Sequence, residues 1–270
     1  MPHRMALNGE RLYPPYKTAA LVDLAAASGL PAAAVLRGTG LDADALRDAS
    51  CLTSIGQYLR ACSNAIGLLA DRALSFRAGA ALHLSDYGMY GLLQLSCGTL
   101  RESVDRAVRY QRLSTPTMAI DAVVEGTQLL WLLRDEVGDL PAELRLFLVE
   151  QQAAQQVTHM SDLLGEACSP TLACFAHPAP VHRDRYAESL GCPCVFGWHR
   201  HEIRYPGEIL ARRPGLANPR AATMLESVCD GQLADLEASL GFAGKVYRTL
   251  RLMDDPGAGM KAVASMLKMT

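Results

Sequence analysis

Apolar residues recur at helical spacing through the first part of the chain and change to alternation after Pro116. Leu21, Leu24 and Ala25 mark a short amphipathic helix closed by Gly29. Pro31 opens a second, which stops at Gly38-Thr39-Gly40. Thr53 is placed to cap a helix bearing Ile55, Leu59, Cys62, Ile66 and Leu69. Thr99-Leu100-Arg101-Glu102 reads as a capping box ahead of Val104, Val108 and Leu113. Between these two helices the run from His83 to Gly91 predicts an irregular connection. From Met118 the positions Ile120, Ala122 and Val124 alternate, Glu125-Gly126-Thr127 turns, and Leu129 to Leu133 returns, which predicts a β-hairpin. Pro141 and Gly165 bound the longest helix, Leu144 to Leu164. Thr171 to Ala176 predicts a third strand, His182 to Leu190 a short helix, and Val195 to Tyr205 a fourth strand with a bulge at Gly197. The expected class is therefore α+β, with a mainly antiparallel sheet of about four strands covered by helices.

Pro206, Pro214 and Pro219 punctuate the chain before a last long stripe, Leu225, Val228, Cys229, Leu233, Leu236 and Leu240, on one helix closed by Gly241. Further helices are expected over Val246 to Met253 and Lys261 to Lys268. The pair of short helices around Leu21 to Leu36 has the outline of a helix-turn-helix. Its second member offers mainly Ala33, Ala34 and Val35, and base edges are read by polar side chains, so local packing is the expected role.

Composition narrows the function. Half of the 270 residues are hydrophobic and the formal net charge is -2, so the chain as a whole has no attraction for a phosphate backbone. No run of 18 apolar residues exists to span a membrane, and the first sixteen residues lack the apolar core of a signal peptide. With no signal peptide, the eight cysteines read as reduced thiols and the expected location is cytoplasmic. The signatures of a nucleophile elbow, a P-loop and a His-Glu-x-x-His metal helix are missing, so no enzyme and no cofactor is expected.

Four segments in order carry a family resemblance. They are Leu36-Arg37-Gly38-Thr39-Gly40-Leu41; Gly88-x-x-Gly91 leading to Thr99-Leu100 and on to Arg109-Tyr110; Leu190-Gly191-Cys192-Pro193-Cys194-Val195-Phe196-Gly197; and Val263-Ala264-Ser265-Met266-Leu267-Lys268-Met269-Thr270. Together they resemble bacterial AraC-type transcriptional regulators whose N-terminal half is an arabinose-binding-like domain. The resemblance implies an effector-sensing domain over 1–215, a connecting and dimerisation helix over 216–240, and the start of a DNA-binding domain over 241–270. Val263, Ala264, Leu267, Met269 and Thr270 would belong to its first helix-turn-helix, with Thr270 at the cap of the reading helix. It also implies a homodimer, promoter DNA as partner of the full-length protein, and a small-molecule effector or regulatory protein. On this reading the 270 residues are a truncated regulator that does not bind promoter DNA specifically alone. The alternatives are a DNA-independent ligand- or protein-binding module and a metal- or thiol-responsive sensor.

Candidate sites follow. His83, Tyr87 and Tyr90, with Trp131, could wall an effector cleft, since aromatic rings with polar tips suit one; the competing reading is core-edge aromatics with satisfied hydroxyls. Leu225, Val228, Leu233, Leu236 and Leu240 could form a dimer seam, shared with the long helix from Leu144, or the last core face of the domain. Cys192, Cys194, His199 and His201 are zinc-type ligands at poor spacing, so no metal is expected. A Cys192–Cys194 disulfide would need a distorted turn at Pro193.

Overall fold

The computed structural model describes residues 9–239, apart from positions 49, 70 and 136. Leu240, the helices expected over Val246 to Met253 and Lys261 to Lys268, and the candidate helix-turn-helix residues Val263, Ala264, Leu267, Met269 and Thr270 lie outside the described residues.

The alternating run after Pro116 forms β1 (Met118–Glu125) and β2 (Gln128–Asp135), paired antiparallel with Ile120 opposite Leu133. Three more strands complete the sheet: β3 (Leu172–Phe175), β4 (Cys194–Phe196) and β5 (His201–Pro206). Their order is β1-β2-β5-β3-β4, and only β3 and β4 run parallel. The run from Val195 to Tyr205 is thus two strands on either side of β3, not one bulged strand. Gly197 takes a left-handed φ of 70° and turns the chain out of β4 before β5 begins at His201. His201 begins β5 and His199 stays in the turn. On central β5, Glu202 is fully buried between Arg200 and Arg204. Burial pushes its pKa up, but the two guanidinium groups outweigh this and hold it below the usual range.

Helices cover the sheet. α1 (Tyr16–Ala27) and α2 (Ala32–Val35) come first, and α2 is only four residues long with Val35 buried. α3 (Ile55–Leu68) is capped by Ser54, not Thr53: Ser54 Oγ accepts from Gln57 N at 3.1 Å and Gln57 Oε1 accepts from Ser54 N at 2.9 Å. Thr53 is instead committed to Tyr13, whose carbonyl accepts from its hydroxyl at 3.0 Å. α4 (Leu74–Ala80) follows, and a 3-10 turn over Leu84–Tyr87 leads into α5 (Gly88–Ser96). The stretch from His83 to Gly91 is therefore largely helical. α6 (Leu100–Tyr110) has Thr99 as its cap, as expected. Glu102, however, accepts from Gly98 N at 2.9 Å.

α7 (Ala142–Leu164) runs through the interior, with Glu150, Gln151, Gln152, Gln155, Gln156 and His159 all buried. It packs against β1, β2, α3 and α4. The closest crossing is at Gly79 of α4, where an added Cβ would stand 2.2 Å from the Gln151 carbonyl oxygen. α8 (Asp184–Leu190) and α9 (Pro219–Ser239) complete the described chain.

Two predictions follow from this packing. Gly79→Ala forces α4 off the α7 backbone and should cost about 2–3 kcal/mol, read as a lower urea midpoint with an unchanged slope. The second concerns the buried imidazole of His159 and the half-buried one of His201. Burial lowers His159 to about 3 and His201 to about 4, so both stay neutral in the folded chain where an unfolded histidine near 6.5 takes a proton. More protons are then bound to the unfolded state, and stability falls as pH drops below 6.5. Each histidine contributes up to about 1.4 kcal/mol per pH unit well below that point. Melting temperatures between pH 7 and 5, above the range where Glu202 titrates, should show this slope, and His159→Gln with His201→Gln should remove most of it.

Candidate functional site

Gly88 and Gly91, the Gly-x-x-Gly of the sequence, set the local geometry. Gly88 adopts a φ of 55° at the junction of the 3-10 turn and α5. An added Cβ at Gly91 would lie 1.7 Å from the Leu84 carbonyl oxygen, so only glycine lets α5 fold back on the turn before it. This places Tyr87 and Tyr90 edge-to-face, ring centroids 6.2 Å apart, with Tyr16 of α1 edge-on to Tyr87 at 6.4 Å. The three rings border a cavity of about 300 Å³. Its other walls are Tyr13 and Pro14, Leu52, Met89, Leu113, and the last turns of α9 at Gln232, Asp235, Leu236 and Ser239.

The cavity combines apolar walls with polar side chains from α9, Gln232, Asp235 and Ser239, and with two tyrosine hydroxyls. Tyr90 donates to the Ala107 carbonyl at 3.0 Å and is satisfied. The Tyr87 hydroxyl is buried and has no hydrogen-bond partner among the described residues. Burial raises the pKa of both phenols, so both remain neutral donors.

Of the four aromatic candidates, the structure brings Tyr87 and Tyr90 together at this cavity. His83 stands outside it, half exposed, with Nδ1 at 2.9 Å from Asp162 of α7. Trp131 is buried on β2 in the main core, facing Ile203 across the sheet, and does not line the cavity.

α9, which closes the cavity, is held by a ladder of charges. Arg106 and Arg109 reach Glu226 at 2.9 and 3.4 Å. Arg109 also reaches Asp230 at 2.7 Å, and Arg112 reaches Glu237 at 3.3 Å. Tyr110 donates to Asp230 at 2.6 Å, so the Arg109-Tyr110 pair grips one carboxylate from two sides. The signal for this was present in the sequence: basic residues every three positions on α6 and its extension, and acids at 226, 230 and 237 on one face of α9.

The apolar stripe of α9 faces the same way. Ala222, Cys229 and Leu236 are buried within the chain, Leu225 and Leu233 are half-buried against the same cluster, and Val228 is exposed. The long helix α7 is enclosed on nearly all sides.

A second cavity, of about 390 Å³, lies between α3, α4 and α7. Glu150 is its buried carboxylate, accepting from Ser75 at 2.5 Å, from His182 Nε2 at 2.7 Å, and from Tyr186. Glu150 is fully engaged by these three side chains.

Among the described residues no three His, Cys, Asp or Glu side chains are grouped to hold a metal. Cys194 Sγ donates to the Cys192 carbonyl at 3.5 Å, Ala176 N donates to His201 Nδ1 at 3.2 Å, and His199 packs on Trp198. All eight cysteines are free thiols. No described helix is long and apolar enough to cross a membrane.

The remaining family segments also have physical roles here. Thr39 Oγ1 donates to the Leu36 carbonyl at 2.7 Å and accepts from Leu41 N at 3.1 Å, making the Gly-Thr-Gly turn, and Gln57 of α3 latches its carbonyl at 2.8 Å. Gly191, at φ 69°, stops α8 and sends the chain into β4.

Comparison with known proteins agrees with this architecture. Over 232 residues the chain is 28% identical to the ornithine utilization regulator of Pseudomonas aeruginosa, covering 86% of this chain and 68% of that protein. It is 32% identical over 143 residues to an HTH-type transcriptional regulator of Mycobacterium tuberculosis, covering 53% of this chain and 41% of the relative. The fold is similar to the crystal structure of the transcriptional regulator CdpR from Pseudomonas aeruginosa, with a TM-score of 0.62 and 19% identity over 97% of this chain and 78% of that one. Residues 29–214 match the arabinose-binding domain of AraC transcription regulators, the N-terminal domain of that group, and the chain belongs to this family.

Proposed function

We propose that the described residues are the sensing part of an AraC-type transcriptional regulator, and that a small-molecule effector occupies the cavity between the N-terminal segment, α5 and α9. The observation that carries this reading is the wall supplied by α9. Gln232, Asp235, Leu236 and Ser239 close the cavity at the end of the helix that leads toward residues 241–270, where the family resemblance puts the DNA reader. A ligand can act only through different affinity for two arrangements. Filling this cavity favours one position of the α9 end over others.

The wider proposal is a cytoplasmic homodimer that binds promoter DNA, with the sensing part contributing no base readout. Two features support the last point. α2 is four residues long and rich in alanine, and Arg106 and Arg109 of α6 are committed to acids on α9. A dimer contact through α9 would use the exposed side that carries Met224 and Val228, because Leu233 and Leu236 face this chain's own core. Leu225 is half-buried on the same inner side.

The test is a thermal-shift screen of the 270-residue chain against small organic molecules, repeated on Met89→Trp. Met89 lines the cavity yet is exposed, so the larger ring should fill the space with little change in the unliganded melting temperature. At least one compound should raise the melting temperature of the parent by several degrees and leave the variant unmoved. Equal shifts in both proteins would place binding elsewhere.

A further inference from the structure

Arginine is the basic residue used throughout positions 9–239, with one exception: Lys17 is the only lysine there. It is also buried, at 4% exposure, pointing inward from α1. Its ammonium has three donors and makes one hydrogen bond, to the Thr115 carbonyl at 3.1 Å. Among the described residues no carboxylate pairs with it.

The groups around it are polar, buried and neutral. Cys62 and Tyr58 come from α3, and the Tyr58 hydroxyl donates to Gln151 of α7 at 2.6 Å. Gln155 and His159 follow at four-residue spacing on the same helix, and His159 meets the Tyr87 ring at 5.4 Å between centroids. Burial drives His159 down to about 3 and the Cys62 thiol up to about 12, so neither is charged near neutral pH. Burial lowers Lys17 to about 8, which still leaves it mostly protonated at pH 7. Three buried polar atoms in this cluster lack a partner among the described residues: the Tyr87 hydroxyl, Gln155 Oε1 and His159 Nε2. A lone buried charge beside unpaired polar atoms is costly, and the usual remedy is a counterion. Tyr87 lines the 300 Å³ cavity on one side and meets His159 of this cluster on the other, while Lys17 does not itself line the cavity. A head group therefore reaches Lys17 only if the Tyr87 ring turns aside. The one acidic wall residue among the described residues, Asp235, is on the last turns of α9.

We propose that the effector is a small organic carboxylate whose head group becomes the counterion of Lys17, with the Tyr87 hydroxyl as a second donor and its apolar body between Tyr16, Met89 and Leu113. This rests on the reading of the cavity as the effector site and names the ligand class for it.

The experiment has two arms, both on the 270-residue chain. In the first, Lys17→Met is melted without ligand. A cation awaiting its partner destabilises the empty protein, so the variant should melt about 5 °C higher. A melting temperature below the parent's would make Lys17 a structural strut and overturn the proposal. In the second, calorimetry on the parent compares benzoate, phenylacetate and hexanoate with benzamide, phenylacetamide and hexanamide, and with inorganic phosphate. At least one carboxylate should bind about tenfold or more tighter than its amide, and Lys17→Met should lose that preference. Amides binding as well as acids would overturn the counterion and leave the cavity reading standing. Phosphate binding as tightly as every carboxylate would overturn the organic ligand class. If neither acids nor amides bind, the proposal falls. The Met89→Trp screen then decides separately whether the cavity takes any ligand.

Discussion

The structure depends on one unusual demand: a long helix passes through the core carrying polar side chains it cannot show to water. α7 sets Glu150, Gln151, Gln152, Gln155, Gln156 and His159 inside the protein. A buried polar group without a partner costs about 1–3 kcal/mol, so the helices around α7 must bring partners with them. α3 supplies Tyr58 for Gln151, α4 supplies Ser75 for Glu150, and α8 with the loop before it supplies Tyr186 and His182 for the same carboxylate. These contacts fix where α3, α4 and α8 can sit, and the glycine at position 79 lets α4 come close enough to take part.

That demand also explains why the interior has two different halves. On the sheet side, α7 meets mainly apolar residues such as Trp131 and Ile203, with Trp131 Nε1 and the Tyr205 hydroxyl the buried polar atoms there that lack a partner among the described residues. Toward α1 and the 3-10 turn the partners run short. Tyr87, Gln155 and His159 keep unpaired atoms there, beside a lysine with no anion among the described residues. An interior that satisfies its polar groups so fully around Glu150 and leaves them open around Lys17 has room for something else at the second place.

Much of the fold could be read from the sequence because its signals were local. Pro141 and Gly165 bounded α7 to within a residue or so, Thr99 capped α6, and the alternation from Met118 gave the β1–β2 hairpin with its turn. The misreadings came where local patterns have two solutions. Thr53 and Ser54 are both fair caps, and a distant contact to Tyr13 decided between them. Val195 to Tyr205 read as one strand because Gly197 can mark either a bulge or a turn, and only the pairing of both halves with β3 shows that β3 comes between them. At the candidate site, Tyr87 and Tyr90 were legible through the glycines that flank them. Trp131 and His83 were grouped with them by residue type, and the fold puts one in the sheet core and the other on the outer surface of the turn. The burial of the α7 glutamines had no signal in the sequence, since such residues mostly sit on a solvent face.

The ladder between α6 and α9 constrains chain length as much as composition. Its acids at 226, 230 and 237 meet their arginines only because α9 starts where it does, with Asn218 N donating to the Ser96 carbonyl at 2.8 Å to fix the origin of the helix. One residue inserted between Asn218 and Glu226 would turn every later side chain by about 100° around the helix axis. All the acids would then leave the arginines at once, and the cavity wall at Gln232 to Ser239 would swing away with them. Substitutions along α9 can be absorbed one contact at a time, whereas an insertion or deletion in its first turns cannot, so descendants of this sequence can diverge in the letters of α9 far more readily than in its count.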